Sequence, residues 1–216
     1  MILDSFFQQF KPVSFKKAAL LLQPDDTPKG VYYLEKGFVK LYSLTEWGDE
    51  KLHLIYKPSE MFPLFWTFGD VPLAKYYEAF TDITVRISPK HSFLQFIEKN
   101  PEALRSLIKK MTQIMEVYSS RIDNLEYTNA TARLCTRLIY LATRFGEKQG
   151  TQLLIPIPLT QKDIASSIAI TRETVSREFE ILEQKGIVKY VNHLIVICSM
   201  EELQKEVSSH FNKQLQ

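Results

Sequence analysis

The chain has 216 residues, of which 45% are hydrophobic and 24% charged, and its net charge is +2. This length accommodates two modest domains with a core each. The balance is that of an ordinary globular protein, and no apolar run approaches the ~20 residues that a membrane span requires. Asp4 interrupts the apolar residues at the N-terminus and no basic stretch precedes them, which argues against a signal peptide. Cys135 and Cys198 are too far apart in sequence to suggest a metal motif or a disulfide framework. A cytoplasmic location is therefore expected.

Residues 2–10 place Ile2, Leu3, Phe6, Phe7 and Phe10 at helical spacing. Residues 14–22 open a series of short strands that continues through 31–34, 38–42 and 52–56. Turns at 25–30, 35–37 and 46–50 separate them, each with a glycine. Strand, glycine-bearing turn and strand at this spacing predict an antiparallel barrel or sandwich. Residues 61–68 are aromatic-rich and read as a short helix. Residues 76–87 close the set of strands, and a turn at 88–91 leads into a helix over 92–99.

From Asn100-Pro101 a longer helix begins. Leu104, Leu107, Met111, Ile114, Tyr118, Ile122 and Leu125 recur at spacings of three and four, as in a coiled-coil seam. A helix this long with one apolar stripe needs a cover, either a second copy of itself or its own N-terminal domain. A further helix spans 131–146 and ends at Gly146, and 150–158 is a strand or loop.

Residues 159–182 read as two short helices joined by a tight turn. Thr160 caps the first, with Asp163 in the third helical position, and Ile164 and Ile168 form its apolar stripe. Ala169-Ile170 makes the turn. Thr171 caps a second helix with an inner face of Val175, Phe179 and Leu182. Arg172, Glu173, Ser176 and Arg177 share one arc away from that face. Such an arc is either an ordinary solvated surface or a major-groove reader, because Arg can bond guanine bidentately, Glu can accept from cytosine, and Ser can do either. Lys185-Gly186 ends this helix, and two apolar runs, 187–191 and 194–198, flank Asn192-His193 as a hairpin. Helix, turn, helix and two-stranded wing make a winged helix-turn-helix. Ser199 and Glu202 form a capping box for a last helix through 207. Residues 128–193 carry nine Lys and Arg against six Asp and Glu, whereas 1–127 is balanced, a small excess on the side of the motif.

The run Leu-Thr-Gln-Lys-Asp-Ile-Ala from Leu159, Thr-Arg-Glu-Thr-Val-Ser-Arg-Glu-Phe from Thr171 and Leu-Glu-Gln-Lys-Gly-Ile-Val from Leu182 resembles the DNA-binding domain of the Crp/Fnr family of bacterial transcription factors. The strand set is similar to the family's sensor β-roll, including Tyr-Leu-Glu-Lys-Gly-Phe-Val from Tyr33. The likeness is close over 155–198 and loose over 1–130. It implies an α+β protein with an N-terminal antiparallel β-roll at 1–100, a dimerisation helix at 101–127 and a winged helix-turn-helix at 128–216. It also implies a homodimer on double-stranded DNA with inverted-repeat sites, and RNA polymerase as a further partner. Arg172, Glu173, Ser176 and Arg177 match the family's base-reading positions, and the half-sites of both branches share a G-A step. Thr160, Thr171, Thr174, Lys185 and His193 are candidate phosphate contacts.

The sensor departs from the family pattern. Cyclic-nucleotide-binding members hold the cyclic phosphate with a Gly-Glu pair and an Arg-Ser/Thr-Ala segment. The corresponding residues 63–79 have no arginine and no Gly-Glu, and Lys75 is their one cation. Tight cyclic AMP binding is not expected, and two distant cysteines cannot supply the four ligands of an iron–sulfur cluster. What remains is an aromatic set, Phe62, Phe65, Trp66, Tyr76 and Tyr77 with Lys75. It is either core or a pocket for an apolar or planar effector, haem included, with His53 or His91 as ligands. No resident cofactor or metal site is predicted. The sequence has no nucleophile elbow, phosphate-binding glycine loop or metalloenzyme spacing, so no catalytic residues are expected. A rival reading is an effector-binding module that controls a protein partner, and the wing argues against it.

Overall fold

The computed structural model describes residues 2–126 and 129–214, with the side chains of 2–119, 122 and 129–208. The chain divides into two units, Met1–Glu116 and Val117–Gln216.

In the first unit, one antiparallel sheet has the order β1 (Pro12–Phe15), β8 (Ile83–Ser88), β3 (Val31–Lys36), β6 (Met61–Phe62). A second has the order β2 (Leu20–Leu22), β7 (Tyr76–Ala79), β4 (Val39–Leu44), β5 (Glu50–Tyr56). The first sheet is covered on both faces, and its alternation shows how. Val31 and Tyr33 of β3 and Met61 of β6 pack with Leu3 and Phe7 of α1 (Ile2–Gln8), Phe93 and Ile97 of α3 (Lys90–Lys99), and Ala103 and Leu107 of α4 (Pro101–Glu126). The intervening Tyr32 and Phe62 point the other way. Phe62 stacks on Tyr32 and on Tyr77 of the second sheet at 5.3 Å each, with Tyr56 at 5.1 Å. Rings from both sheets therefore fill the interior of the roll, each buried ring contributing roughly 1.5–3 kcal/mol. Gly37, at φ +80°, lies against Asp82; a Cβ there would sit 2.3 Å from the Asp82 carbonyl oxygen.

The seam assigned to α4 meets the burial pattern differently at two residues, Leu107 and Ile114. Leu107 is 1% exposed and belongs to the core of its own roll, one turn beyond Ala103. Among the described side chains of α4, the exposed apolar ones are Leu104, Ile108, Met111, Met115 and Ile122. Ile114 and Tyr118 are half-buried, and the side chain of Leu125 lies outside the described residues.

The second unit is built on α5 (Ala130–Phe145), which buries Leu134, Leu138, Leu141 and Phe145. Asn129 caps it by accepting the Thr131 N–H at 2.7 Å. Its last turn ends at Gly146 with an extended backbone, φ −62° and ψ 131°. Glycine is needed there because a Cβ would stand 2.3 Å from the Ala142 carbonyl oxygen. A four-stranded sheet follows, in the order β11 (Val188–Val191), β12 (Leu194–Ile197), β10 (Gln152–Ile155), β9 (Glu147–Gln149). The wing is thus half of a larger sheet, because the 147–155 hairpin pairs onto β12. The last helix, α8 (Met200–Gln214), runs beyond 207 and buries Leu203.

Candidate nucleic-acid interface

The helix-turn-helix consists of α6 (Gln161–Ile168) and α7 (Arg172–Gln184). Thr160 opens α6 with a full capping box. Its Oγ1 accepts the Asp163 N–H at 3.1 Å, and Asp163 Oδ2 accepts the Thr160 N–H at 2.8 Å and its hydroxyl at 2.5 Å. The Thr160 hydroxyl is therefore committed to the helix start. Ala169 at φ 55° and ψ 48° turns the chain in the left-handed region. Thr171 then caps α7 by accepting the Thr174 N–H at 3.2 Å. At the other end Gly186 sits at φ +70°, its N–H bonded to the Glu183 carbonyl, while the Ile187 N–H reaches the Leu182 carbonyl at 3.0 Å.

Val175, Phe179 and Leu182 of α7 are buried, as their spacing requires, and Glu178 joins them. Its Oε2 accepts from Thr131 Oγ1 of α5 at 2.6 Å, and its Oε1 lies 3.4 Å from the Arg177 guanidinium. Sequence reasoning missed this residue, since a Glu beside Arg177 reads as one more exposed charge. Arg172, Glu173 and Arg177 are exposed and Ser176 is half-buried, so the four sequence-predicted residues share the open side of α7. Two cations, a carboxylate and a hydroxyl on one exposed arc supply donors and acceptors matched to base edges.

The other candidates fare unequally. Thr171 and Thr174 are tied to each other at 2.9 Å, and Lys185 is paired with Glu206 of α8 at 2.5 Å. His193 is exposed at the wing tip. Val191 pairs with Leu194, so Asn192 and His193 form a two-residue turn with positive φ at both, 52° and 64°. Tyr190 locks this hairpin to the reading helix. Its ring lies 5.1 Å from that of Phe179, its hydroxyl donates to the Leu159 carbonyl at 2.9 Å, and its N–H donates to Glu183 at 2.7 Å. Burial, with the Asp163 carboxylate adding to it, raises the Tyr190 pKa. Lys162 and Lys189, exposed on α6 and β11, were visible in the sequence only as part of the local charge excess.

In the first unit the six candidate effector residues do not converge on one pocket. Phe62 and Tyr77 are core, Tyr76 stacks on Tyr42 at 5.1 Å, and Trp66 lies under Lys90 at 4.6 Å. Phe65, on α2 (Leu64–Gly69), is 69% exposed, and Lys75 is half-buried. The one carboxylate of β7, Glu78, is engaged with Lys40 at 3.1 Å and with the Tyr42 hydroxyl at 3.1 Å. Residues 63–79 thus offer a cyclic phosphate neither arginine nor a free acid–base pair, and they do not fit that ligand. His53 Nε2 is 2.8 Å from Ser43 Oγ, and His91 is exposed on α3. Cys135 is buried in α5, where its thiol is pushed up to about 12 by burial.

An antiparallel roll, a long helix and a winged helix-turn-helix with an open, donor-rich reading helix define a DNA-binding transcription regulator. Residues 132–206 match the model of the Crp-like helix-turn-helix domain and residues 12–100 that of the cyclic nucleotide-binding domain. The chain belongs to the Crp/Fnr family of transcription regulators. It is 25% identical over 209 residues to a CRP-like cAMP-activated global transcriptional regulator of Mycobacterium tuberculosis, covering 91% of this chain and 93% of that protein. It is 26% identical over 198 residues to a fumarate and nitrate reduction regulatory protein of Vibrio cholerae, covering 89% and 77%. Among solved structures, a CooA variant from Carboxydothermus hydrogenoformans aligns with TM-score 0.76 at 20% identity, over 93% of this chain and 89% of that one. FixK2 from Bradyrhizobium japonicum aligns with TM-score 0.76 at 21% identity, over 91% and 96%. No helix among the described residues is long and apolar enough to cross a membrane.

Proposed function

We propose that the protein binds inverted-repeat DNA as a homodimer in the cytoplasm and regulates transcription there through contact with RNA polymerase. Arg172, Glu173, Ser176 and Arg177 read bases that include a G-A step. The observation that carries the reading is the two-sided character of α7, which is capped at both ends, buried along Val175, Glu178, Phe179 and Leu182, and open along the four polar residues. A reading helix must be rigid on one side and available on the other.

The dimer rests on α4. Leu104, Ile108, Met111, Met115, Tyr118 and Ile122 follow one another at spacings of four and three, the a/d pattern of a two-stranded coiled coil, and all except Tyr118 are at least 36% exposed. A two-fold pair would set its reading helices one DNA turn apart, about 34 Å. Phosphate contacts fall to His193, Lys162 and Lys189 rather than to Thr160, Thr171, Thr174 and Lys185, whose side-chain polar atoms are engaged within the fold. A gel-shift titration with a palindromic G-A-containing duplex, repeated at raised salt, tests the reading; retention of specific over scrambled duplex is expected, and equal binding to both would refute base reading. Residues 63–79 support no tight binding of cyclic AMP. Calorimetry should give no micromolar binding, and a micromolar isotherm would overturn this.

A further inference from the structure

We propose that His193 is a proton-linked phosphate ligand at the tip of the wing, held in a single tautomer by Tyr190. The inference rests on the DNA-binding reading above and adds a regulatory property to it.

The Tyr190 hydroxyl has one hydrogen, and its neighbours are the Leu159 carbonyl oxygen at 2.9 Å, His193 Nδ1 at 3.1 Å and the backbone of Gln161, which can only donate to it. A carbonyl oxygen can only accept, so the phenol hydrogen is committed to Leu159. The contact with His193 is then a hydrogen bond only if Nδ1 carries a hydrogen and donates it. In a neutral imidazole this leaves Nε2 with a bare lone pair. A lone pair turned toward a phosphate oxygen repels it. The same nitrogen carrying a proton is a cationic donor that forms a charge-assisted bond. The ring is exposed on the two-residue turn, beyond the last paired residues of the wing, Val191 and Leu194. Its backbone mount is rigid, because Tyr190 ties that turn to α7 through Phe179 and Glu183 and to the start of α6 through Leu159. The charged and titratable groups around this site are Glu183 of α7, bonded to the Tyr190 N–H, Asp163 of α6, acting on the Tyr190 phenol, and Lys189 and Tyr190 of β11.

The sign follows from which state holds the proton. Bound phosphate favours the protonated ring, so the complex binds more protons than the free protein and affinity rises as pH falls through the imidazole range. The test is a fluorescence-anisotropy titration of the full chain on a specific duplex over a salt series at about pH 6 and about pH 8. The plot of log affinity against log salt should be steeper at the acid pH by about 0.9 for each wing engaged. His193→Asn is the matched variant, since Asn tolerates positive φ, keeps a donor and does not titrate. It should show one slope at both pH values. Tyr190→Phe keeps the ring beside Phe179 but frees the imidazole, and should lose more affinity at the acid pH than at the alkaline one. Equal slopes in the parent protein, or a pH effect that survives His193→Asn, would overturn the assignment. Loss of equal size at both pH values in Tyr190→Phe would overturn Tyr190's role in holding the tautomer. Binding at the alkaline pH without acid enhancement refutes this inference alone, whereas no specific binding at either pH refutes the DNA-binding reading itself.

Discussion

Arg177→Ala isolates base reading from folding. The Arg177 side chain is 67% exposed, and its ion pair is a single 3.4 Å approach to Glu178, which keeps its own bond to Thr131. Removing so exposed a partner leaves folding stability within about 0.5 kcal/mol. In the complex, a bidentate arginine–guanine pair discriminates by about 1–3 kcal/mol, or roughly 5- to 150-fold in affinity. Both half-sites lose the contact in a two-fold dimer, so a palindrome should lose about twice that free energy, the two sites being far enough apart to add. The assay is anisotropy on three duplexes: the specific palindrome, the palindrome with guanine replaced in both half-sites, and a scrambled sequence. The variant should bind the specific duplex far more weakly and bind the other two almost as the parent does. Loss by the same factor on all three would refute the reasoning and make Arg177 a phosphate contact.

Further outcomes follow from the two faces of α4 and from the caps. Met115→Glu, on the exposed seam, should shift sedimentation from dimer to monomer with little change in melting of the first unit. Leu107→Ala, on the buried face, should destabilise that unit by about 2–5 kcal/mol and leave self-association intact. Thr160→Ala should cost about 0.5–2 kcal/mol in denaturant unfolding of the second unit, and a selective effect on DNA affinity with unchanged stability would contradict the capping role. Tyr33 donates to Asp4 and accepts from Ser59, and its pKa is pushed up to about 12, chiefly by burial. Between pH 10 and 12 the unfolded chain gives up this proton first, so stability falls as pH rises through that window. Tyr33→Phe should flatten that alkaline loss in chemical denaturation, and an unchanged slope would show that other groups cause it.

The output end of the protein was legible because its determinants are local. The Thr160–Asp163 capping box, the Thr171 cap, the Gly186 terminus and the Val175–Phe179–Leu182 stripe all act within a few residues, and each lies where the spacing puts it. The strand order of the roll was less visible, but the glycine turns that part its strands, such as Gly37 at φ +80°, are local too. Other features were decided by what packs against what. Leu107 and Ile108 are adjacent apolar residues on one long helix, and only the roll beneath α4 separates the core residue from the open one. Strand β9, Glu147-Lys148-Gln149, is exposed throughout and has no apolar alternation; it exists because β10 offers it hydrogen bonds. Glu178 is buried because Thr131 of α5 meets its carboxylate, a pairing 47 residues apart in sequence. The aromatic residues at 62–66 and 76–77 look alike in the sequence, but the fold buries Phe62 and Tyr77 in the roll and leaves Phe65 exposed and Trp66 and Tyr76 half-buried. Short-range hydrogen bonds and periodicity can be read along a chain, whereas burial is set by partners from elsewhere in it, and that is where the tertiary structure decided.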